Sequence, residues 1–185
     1  MKSILRCALA ALAFASTAWL AATPAAADDF ESCGKASGGE AIATCTRAIA
    51  SGRYDDAELA VLFKDRCREW NKRQESDRAI EDCSQAIRLK PDFAQAFNNR
   101  GAAYTFKDQY DRAIEDYEQA IRLDPDDADA FNNRGAVYSL KGQYDRAIED
   151  YNQAIRLNPC DASAFNNRSR AYQLKASATA PSRIE

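Results

Sequence analysis

Residues Phe97–Pro125, FNNRGAAYTFKDQYDRAIEDYEQAIRLDP, and Phe131–Pro159, FNNRGAVYSLKGQYDRAIEDYNQAIRLNP, agree at 23 of 29 positions at an offset of 34 residues. A fixed period of this length constrains the fold more than any other feature of the chain. A unit so short cannot bury its own apolar face, whereas stacked copies bury a continuous one. The same frame stepped back by 34 finds RAIEDCSQAIRLKP, from Arg78 to Pro91. Stepped forward it finds FNNRSRAY, from Phe165 to Tyr172. A weaker copy, EAIATCTRAI, runs from Glu40 to Ile49.

Each copy reads as two helices. In Tyr110–Ile121 the apolar residues are Tyr110, Ala113, Ile114, Tyr117, Ala120 and Ile121, which share one face at helical spacing. Before them Phe97, Ala103, Tyr104 and Phe106 belong to another helix, with Gly101 in its middle. A mid-helix glycine costs about 1 kcal/mol against alanine. Its recurrence at Gly135 therefore points to a crossing where only a hydrogen fits. Lys107-Asp108-Gln109 is a short turn. Asp124-Pro125-Asp126-Asp127 closes one unit and opens the next, with proline stopping the second helix and an aspartate available to cap the following one.

The chain's first 27 residues stand apart from the repeats. Lys2 and Arg6 precede an uncharged Leu- and Ala-rich run from Ala8 to Ala22, and Ala25-Ala26-Ala27 follows. That is the pattern of a secretory signal peptide. The run is interrupted by Ser16, Thr17 and Pro24, which argues against a membrane span. The expected localisation is periplasmic or secreted, with no stable membrane insertion after cleavage. With no histidine, His-dependent nucleophilic catalysis and His-ligated zinc are excluded. No Gly-rich phosphate loop is present. A formal charge of −3 disfavours a nucleic-acid partner.

The period, the glycine and tyrosine of the first helix (Gly101/Tyr104, Gly135/Tyr138), the small–aromatic–small set of the second (Ala113/Tyr117/Ala120, Ala147/Tyr151/Ala154) and the closing Pro125 and Pro159 resemble the tetratricopeptide repeat (TPR) family. The resemblance covers about Ala60 to Lys175. With the signal and a short cysteine-bearing hairpin before the repeats, the arrangement is similar to small exported bacterial TPR proteins. It implies an all-α fold, an α-solenoid winding as a right-handed superhelix whose first helices line a concave groove. The expected organisation is a signal over 1–27, a degenerate hairpin over 28–55, and repeats over 56–92, 93–127 and 128–161. A capping helix over 162–175, with Phe165 and Tyr172 on its inner side, and a disordered tail over 176–185 complete it.

Within that frame the departures are informative. Cys67 stands where the first-helix glycine belongs and Cys83 where the second-helix aromatic belongs, so the resemblance implies that they face one another as a disulfide. Cys45 holds the position of Cys83 in the first hairpin, which makes Cys33–Cys45 the matching pair. The alternatives Cys45–Cys67 with Cys33–Cys83, and Cys33–Cys67 with Cys45–Cys83, would each join different hairpins twice. Cys160 has no sequence-local mate and is expected to be a free thiol. Arg66, Arg100, Arg134 and Arg168 recur at positions that the family usually fills with apolar residues, and Asp82, Asp116 and Asp150 recur in the second helices. A half-buried arginine needs a partner, so the expected arrangement is an Arg–Asp ladder inside and between repeats.

Asp124, Asp126, Asp127 and Asp129 lack the glycine and the closing glutamate of an EF-hand loop, and helix capping accounts for them. Neither metal nor cofactor is implied, and no catalytic site is visible. The remaining candidate site is the groove. The positions matching the family's groove are Lys64 and Arg68; Gln95, Asn98, Asn99 and Thr105; Asp129, Asn132, Asn133 and Ser139; and Asn166 and Arg170. An amide lining suits a peptide backbone, since amides both donate and accept. The competing reading is that Asn99, Asn133 and Asn167 tie neighbouring repeats together. Lys64, Arg68 and Asn99 resemble half of the family's carboxylate clamp, and Asp129 and Asn133 replace the other half. The expected function is non-catalytic binding of a protein or peptide partner in the cell envelope by a scaffold or adaptor. That protein would be monomeric or weakly self-associating, with a self-associating structural protein as the alternative.

Overall fold

The computed structural model describes residues 25–179, and among them the chain forms helices and turns only. The helices pair in sequence order. α1 (Ala25–Lys35) and α2 (Gly38–Ala50) make a short hairpin; α3 (Asp56–Lys72) with α4 (Ser76–Leu89), α5 (Ala94–Phe106) with α6 (Tyr110–Leu123), and α7 (Ala128–Leu140) with α8 (Tyr144–Leu157) make three repeats; and α9 (Ala162–Thr179) follows alone. Every helix packs on its successor, and each first helix also touches the first helix of the next repeat. That double adjacency builds a solenoid. The expected signal over 1–27 lies outside the described residues except for Ala25–Ala27, the first turn of α1.

The periodic face of α6 is buried as expected: Ala113 and Ala120 are fully enclosed and Tyr117 nearly so. Gly101 explains itself there. A Cβ on Gly101 would come within 2.8 Å of the Tyr117 ring, and one on Gly135 within 2.9 Å of Tyr151, so these helices close over a tyrosine ring with no room for a methyl group. Enclosed alanines on both helices of each repeat allow the close approach. In the first repeat Cys67 and Cys83 occupy the same two positions and form a disulfide. Cys33 and Cys45 form another across the α1–α2 hairpin. Cys160 is an exposed free thiol.

The turns between paired helices repeat one geometry. Gln74, Asp108 and Gly142, spaced by 34, all take positive φ, at 59°, 57° and 72°. The chain enters α3 through a capping box, Asp55 accepting from the Glu58 N–H while the Glu58 side chain accepts from the Asp55 N–H. Asp127 caps α7 by accepting from the N–H groups of Asp129 and Ala130.

The arginine series is structural, and its ion pairs lie inside repeats. Arg66, Arg100 and Arg134 each grip an aspartate of their own second helix (Asp82, Asp116 and Asp150) with two donors at 2.7–2.8 Å. Between repeats the expected aspartates are replaced by neutral acceptors. Arg66 donates to Thr46 at 3.0 Å, Arg100 to Ser84 at 3.1 Å and Arg168 to Asn152 at 2.7 Å.

Two expectations for the C-terminal end are corrected. α9 continues through Thr179, so 176–179, expected to be disordered, are helical, and 180–185 lie outside the described residues. Phe165 and Tyr172 are not on the inner side. They are 40% and 52% exposed, and α9 instead buries Ala164 and Ala171 against the preceding repeat. In α5 and α7 the aromatic face is covered by the second helix of the same repeat, and no described helix does this for α9.

Candidate functional site

Because first helices contact first helices, their free faces line up. α3, α5 and the turn leading into α7 enclose a groove of about 420 Å³. The structure brings Lys64, Arg68, Gln95, Asn98, Asn99 and Asp129 of the expected set together in it. A second recess of about 200 Å³ between α7 and α9 collects Ser139, Asn167 and Arg170 over an apolar floor of Leu140, Ala171 and Leu174.

The first groove has two walls of opposite charge. On one wall the Lys64 ammonium lies 2.7 Å from Asp65 and 5.9 Å from the centroid of Phe93. Arg68 reaches the same Asp65 at 3.1 Å, and its Nε–H is buried without a hydrogen bond. Asp65 thus holds two cations toward the groove. Facing them are Asp124, Asp126, Asp127 and Asp129. Burial pushes the Asp127 carboxyl above the ordinary carboxylate range, with the neighbouring Asp129 and Asp124 charges adding to that. The Ala130 and Asp129 N–H groups offset part of the rise. The sequence assigned Asp124, Asp126 and Asp127 to capping alone and placed Asp129 in the groove. Asp127 does cap α7, and Asp124 accepts from the Asp126 N–H, but the inter-repeat turn also lines the groove with all four. Asn158, from the equivalent turn one repeat later, lines it as well.

The asparagines split between the two readings. Asn133 donates to Asn98 at 3.0 Å and Asn167 donates to Asn132 at 3.1 Å, so both tie adjacent repeats. Asn99 takes part through its backbone carbonyl, which accepts from Asn71 at 2.7 Å. Asn166 is exposed on α9. Thr105 faces the helix pair rather than open groove: its hydroxyl donates to the Gly101 carbonyl and lies 3.4 Å from the Tyr117 hydroxyl. Ser139 stands in the same relation to Tyr151. Among the described residues no cluster of acidic or cysteine side chains is arranged to hold a metal, and no helix is long and apolar enough to cross a membrane.

Two family descriptions match the chain, "TPR repeat" over residues 107–142 and "Tetratricopeptide repeat" over 128–159. Residues 107–159 are tetratricopeptide repeats. No curated protein matches its sequence. Among solved structures, the second TPR domain of human RPAP3 in complex with the HSP70 peptide SGPTIEEVD is 29% identical, at a TM-score of 0.60 over 63% of this chain and 98% of that one. The first TPR of Spaghetti (RPAP3) bound to the HSP90 peptide SRMEEVD is 24% identical, at a TM-score of 0.63 over 68% and 99%. The Sgt2 TPR domain of Aspergillus fumigatus is 23% identical, at 0.62 over 68% and 87%. These last two share the fold. TPR domains are protein-binding and non-catalytic, and protein–protein interaction is the function class of this chain.

Proposed function

We propose that this protein is an exported adaptor that holds an extended peptide of a partner protein along its first helices. The observation that carries the reading is the pair of opposed walls in the groove, with Lys64 and Arg68 facing Asp126, Asp127 and Asp129 across an amide floor. Such a site favours a ligand of mixed charge, an acidic group at the Lys64–Arg68 wall and a basic one at the aspartates. The 29% identical RPAP3 domain holds an acidic chaperone peptide. Here the acidic wall would repel a purely acidic tail, so the ligand class differs. Export is supported by the composition of residues 1–27 and by two intrachain disulfides, which persist in oxidising compartments. The periplasm is the compartment this reading favours.

Photo-crosslinking in the native cell envelope tests the proposal. A crosslinker at Gln95, on the groove wall, is compared with one at Arg122, on the exposed face of α6. A discrete heterologous adduct from Gln95 alone is the expected result. Equal adducts from both positions, or self-adducts only, would move the reading to a self-associating structural protein.

A further inference from the structure

Among the described residues, the outer face of α9 is a first-helix face with no second helix over it. In α5 and α7 that face carries Phe, Arg, Gly and Tyr, and a second helix covers it with Ala-x-x-Asp-Tyr-x-x-Ala: Ala113, Asp116, Tyr117 and Ala120 on α6, and the equivalent residues on α8. In α9 the equivalents are Phe165, Arg168, Ser169 and Tyr172. Phe165 and Tyr172 are exposed, and among the described residues Arg168 has no carboxylate partner, only Asn152. Arg66, Arg100 and Arg134 all have one.

We propose that this face docks an amphipathic helix from a partner protein, with a carboxylate opposite Arg168 and a small side chain opposite Ser169. The carboxylate follows from charge. Arg168 is the charged residue among Phe165, Arg168, Ser169 and Tyr172, and α9 has no acidic residue, so a second copy of this face sets Arg168 against Arg168 and offers no counter-charge. The second helices of this chain are already engaged by their own first helices. The small side chain follows from sterics. Gly101 tolerates Tyr117 only because it lacks a Cβ, and Ser169 has one. The first repeat shows the alternative that fits, Cys67 against Cys83, where neither residue is large. The site therefore selects Ala-x-x-Asp-small-x-x-Ala over Ala-x-x-Asp-Tyr-x-x-Ala.

Two 14-residue peptides, acetylated and amidated, test this by NMR titration into the folded protein. One is residues 76–89 with Cys83→Ser, and the other is residues 144–157. The first peptide is expected to shift the signals of Phe165, Arg168 and Tyr172, and Arg168→Gln should weaken it about tenfold or more, the loss of one charge-assisted contact. The second is expected to bind about tenfold more weakly, with Ser169→Gly restoring it. Equal binding of both peptides regardless of Ser169→Gly, or no shifts on α9 at millimolar peptide, would overturn the proposal. A dimer abolished by Tyr172→Ala would assign the face to a second copy. Binding seen only after removal of residues 180–185 would assign it to that segment. Either result also overturns it.

Discussion

Gly101 lies against the ring of Tyr117 so closely that a single added carbon would sit 2.8 Å from Cε1. One repeat earlier the same two positions are Cys67 and Cys83, joined by a disulfide, and one repeat later they are Gly135 and Tyr151. The same helix-pair contact is thus closed in two chemically different ways. Gly101→Ala should gain about 1 kcal/mol of helix propensity but lose about 1–3 kcal/mol to overpacking against an enclosed ring. A net loss in thermal melting is expected, relieved by Gly101→Ala combined with Tyr117→Leu. If Gly101→Ala alone stabilises the protein, the ring has room to move and the steric argument fails.

Reduction should act on the N-terminal half selectively. The Cys67–Cys83 bond closes a separation of 16 residues, worth about 3 kcal/mol in the chain-entropy account. Hydrogen exchange with and without reductant is expected to show α1–α4 losing protection first while α7 and α8 keep theirs. Uniform loss across the chain would show that the repeats unfold as one unit.

The Arg100–Asp116 pair is largely buried and two-pronged, with side-chain exposures of 19% and 8%. Breaking one partner of such a pair strands the other, a cost of about 3–5 kcal/mol. Arg100→Leu is therefore expected to lower the melting temperature sharply, and a double variant with Asp116→Leu should recover most of the loss. A groove-binding role for Arg100 would instead leave folding intact.

How much of this was legible in the sequence follows from what repetition records. A 34-residue offset reports which positions are equivalent, so the paired helices, the close crossing at the glycine and the Arg–Asp series inside repeats could be read from the sequence. Repetition is silent where a copy stops. Phe165 and Tyr172 carry the same residue types as Phe131 and Tyr138, and the sequence assigned them the same burial. They are exposed because burial belongs to a neighbour, and none covers them among the described residues. Apart from Asp129, the acidic wall was hidden for another reason: Asp127 caps a helix and lines the groove at once, and sequence spacing displays only the local role.

The turn positions Gln74, Asp108 and Gly142 share left-handed backbone, and only Gly142 adopts it without cost. A non-glycine residue there costs roughly 1–2 kcal/mol, part of which glycine returns through its greater freedom in the unfolded chain. Gln74→Gly is expected to stabilise the protein by about 0.5–1 kcal/mol in chemical denaturation. Gly142→Ala should destabilise it by a similar amount. Opposite signs at the two equivalent positions are the signature, and equal signs would refute it.

Glu69 fastens the cysteine-bearing hairpin to the first repeat. It is fully enclosed, and its carboxylate accepts from the Gly38 N–H at the start of α2 at 2.8 Å and from Lys72 at 2.6 Å. Burial alone would raise its pKa, but the Lys72 hydrogen bond and charge, the Gly38 N–H and the Arg68 charge together hold it below the ordinary carboxylate value of 4.5. A carboxyl depressed in the folded state contributes stability that is present above its unfolded pKa and lost as pH falls through the folded one. Glu69→Gln should therefore cost about 1–3 kcal/mol near neutrality. It should also flatten the fall in stability below pH 4.5 that the unmodified protein shows. The check is a series of denaturant titrations of both proteins from pH 7 downward. Parallel acid limbs would mean that Glu69 keeps the same pKa folded and unfolded, and the link between α2 and α3 would then rest on packing alone.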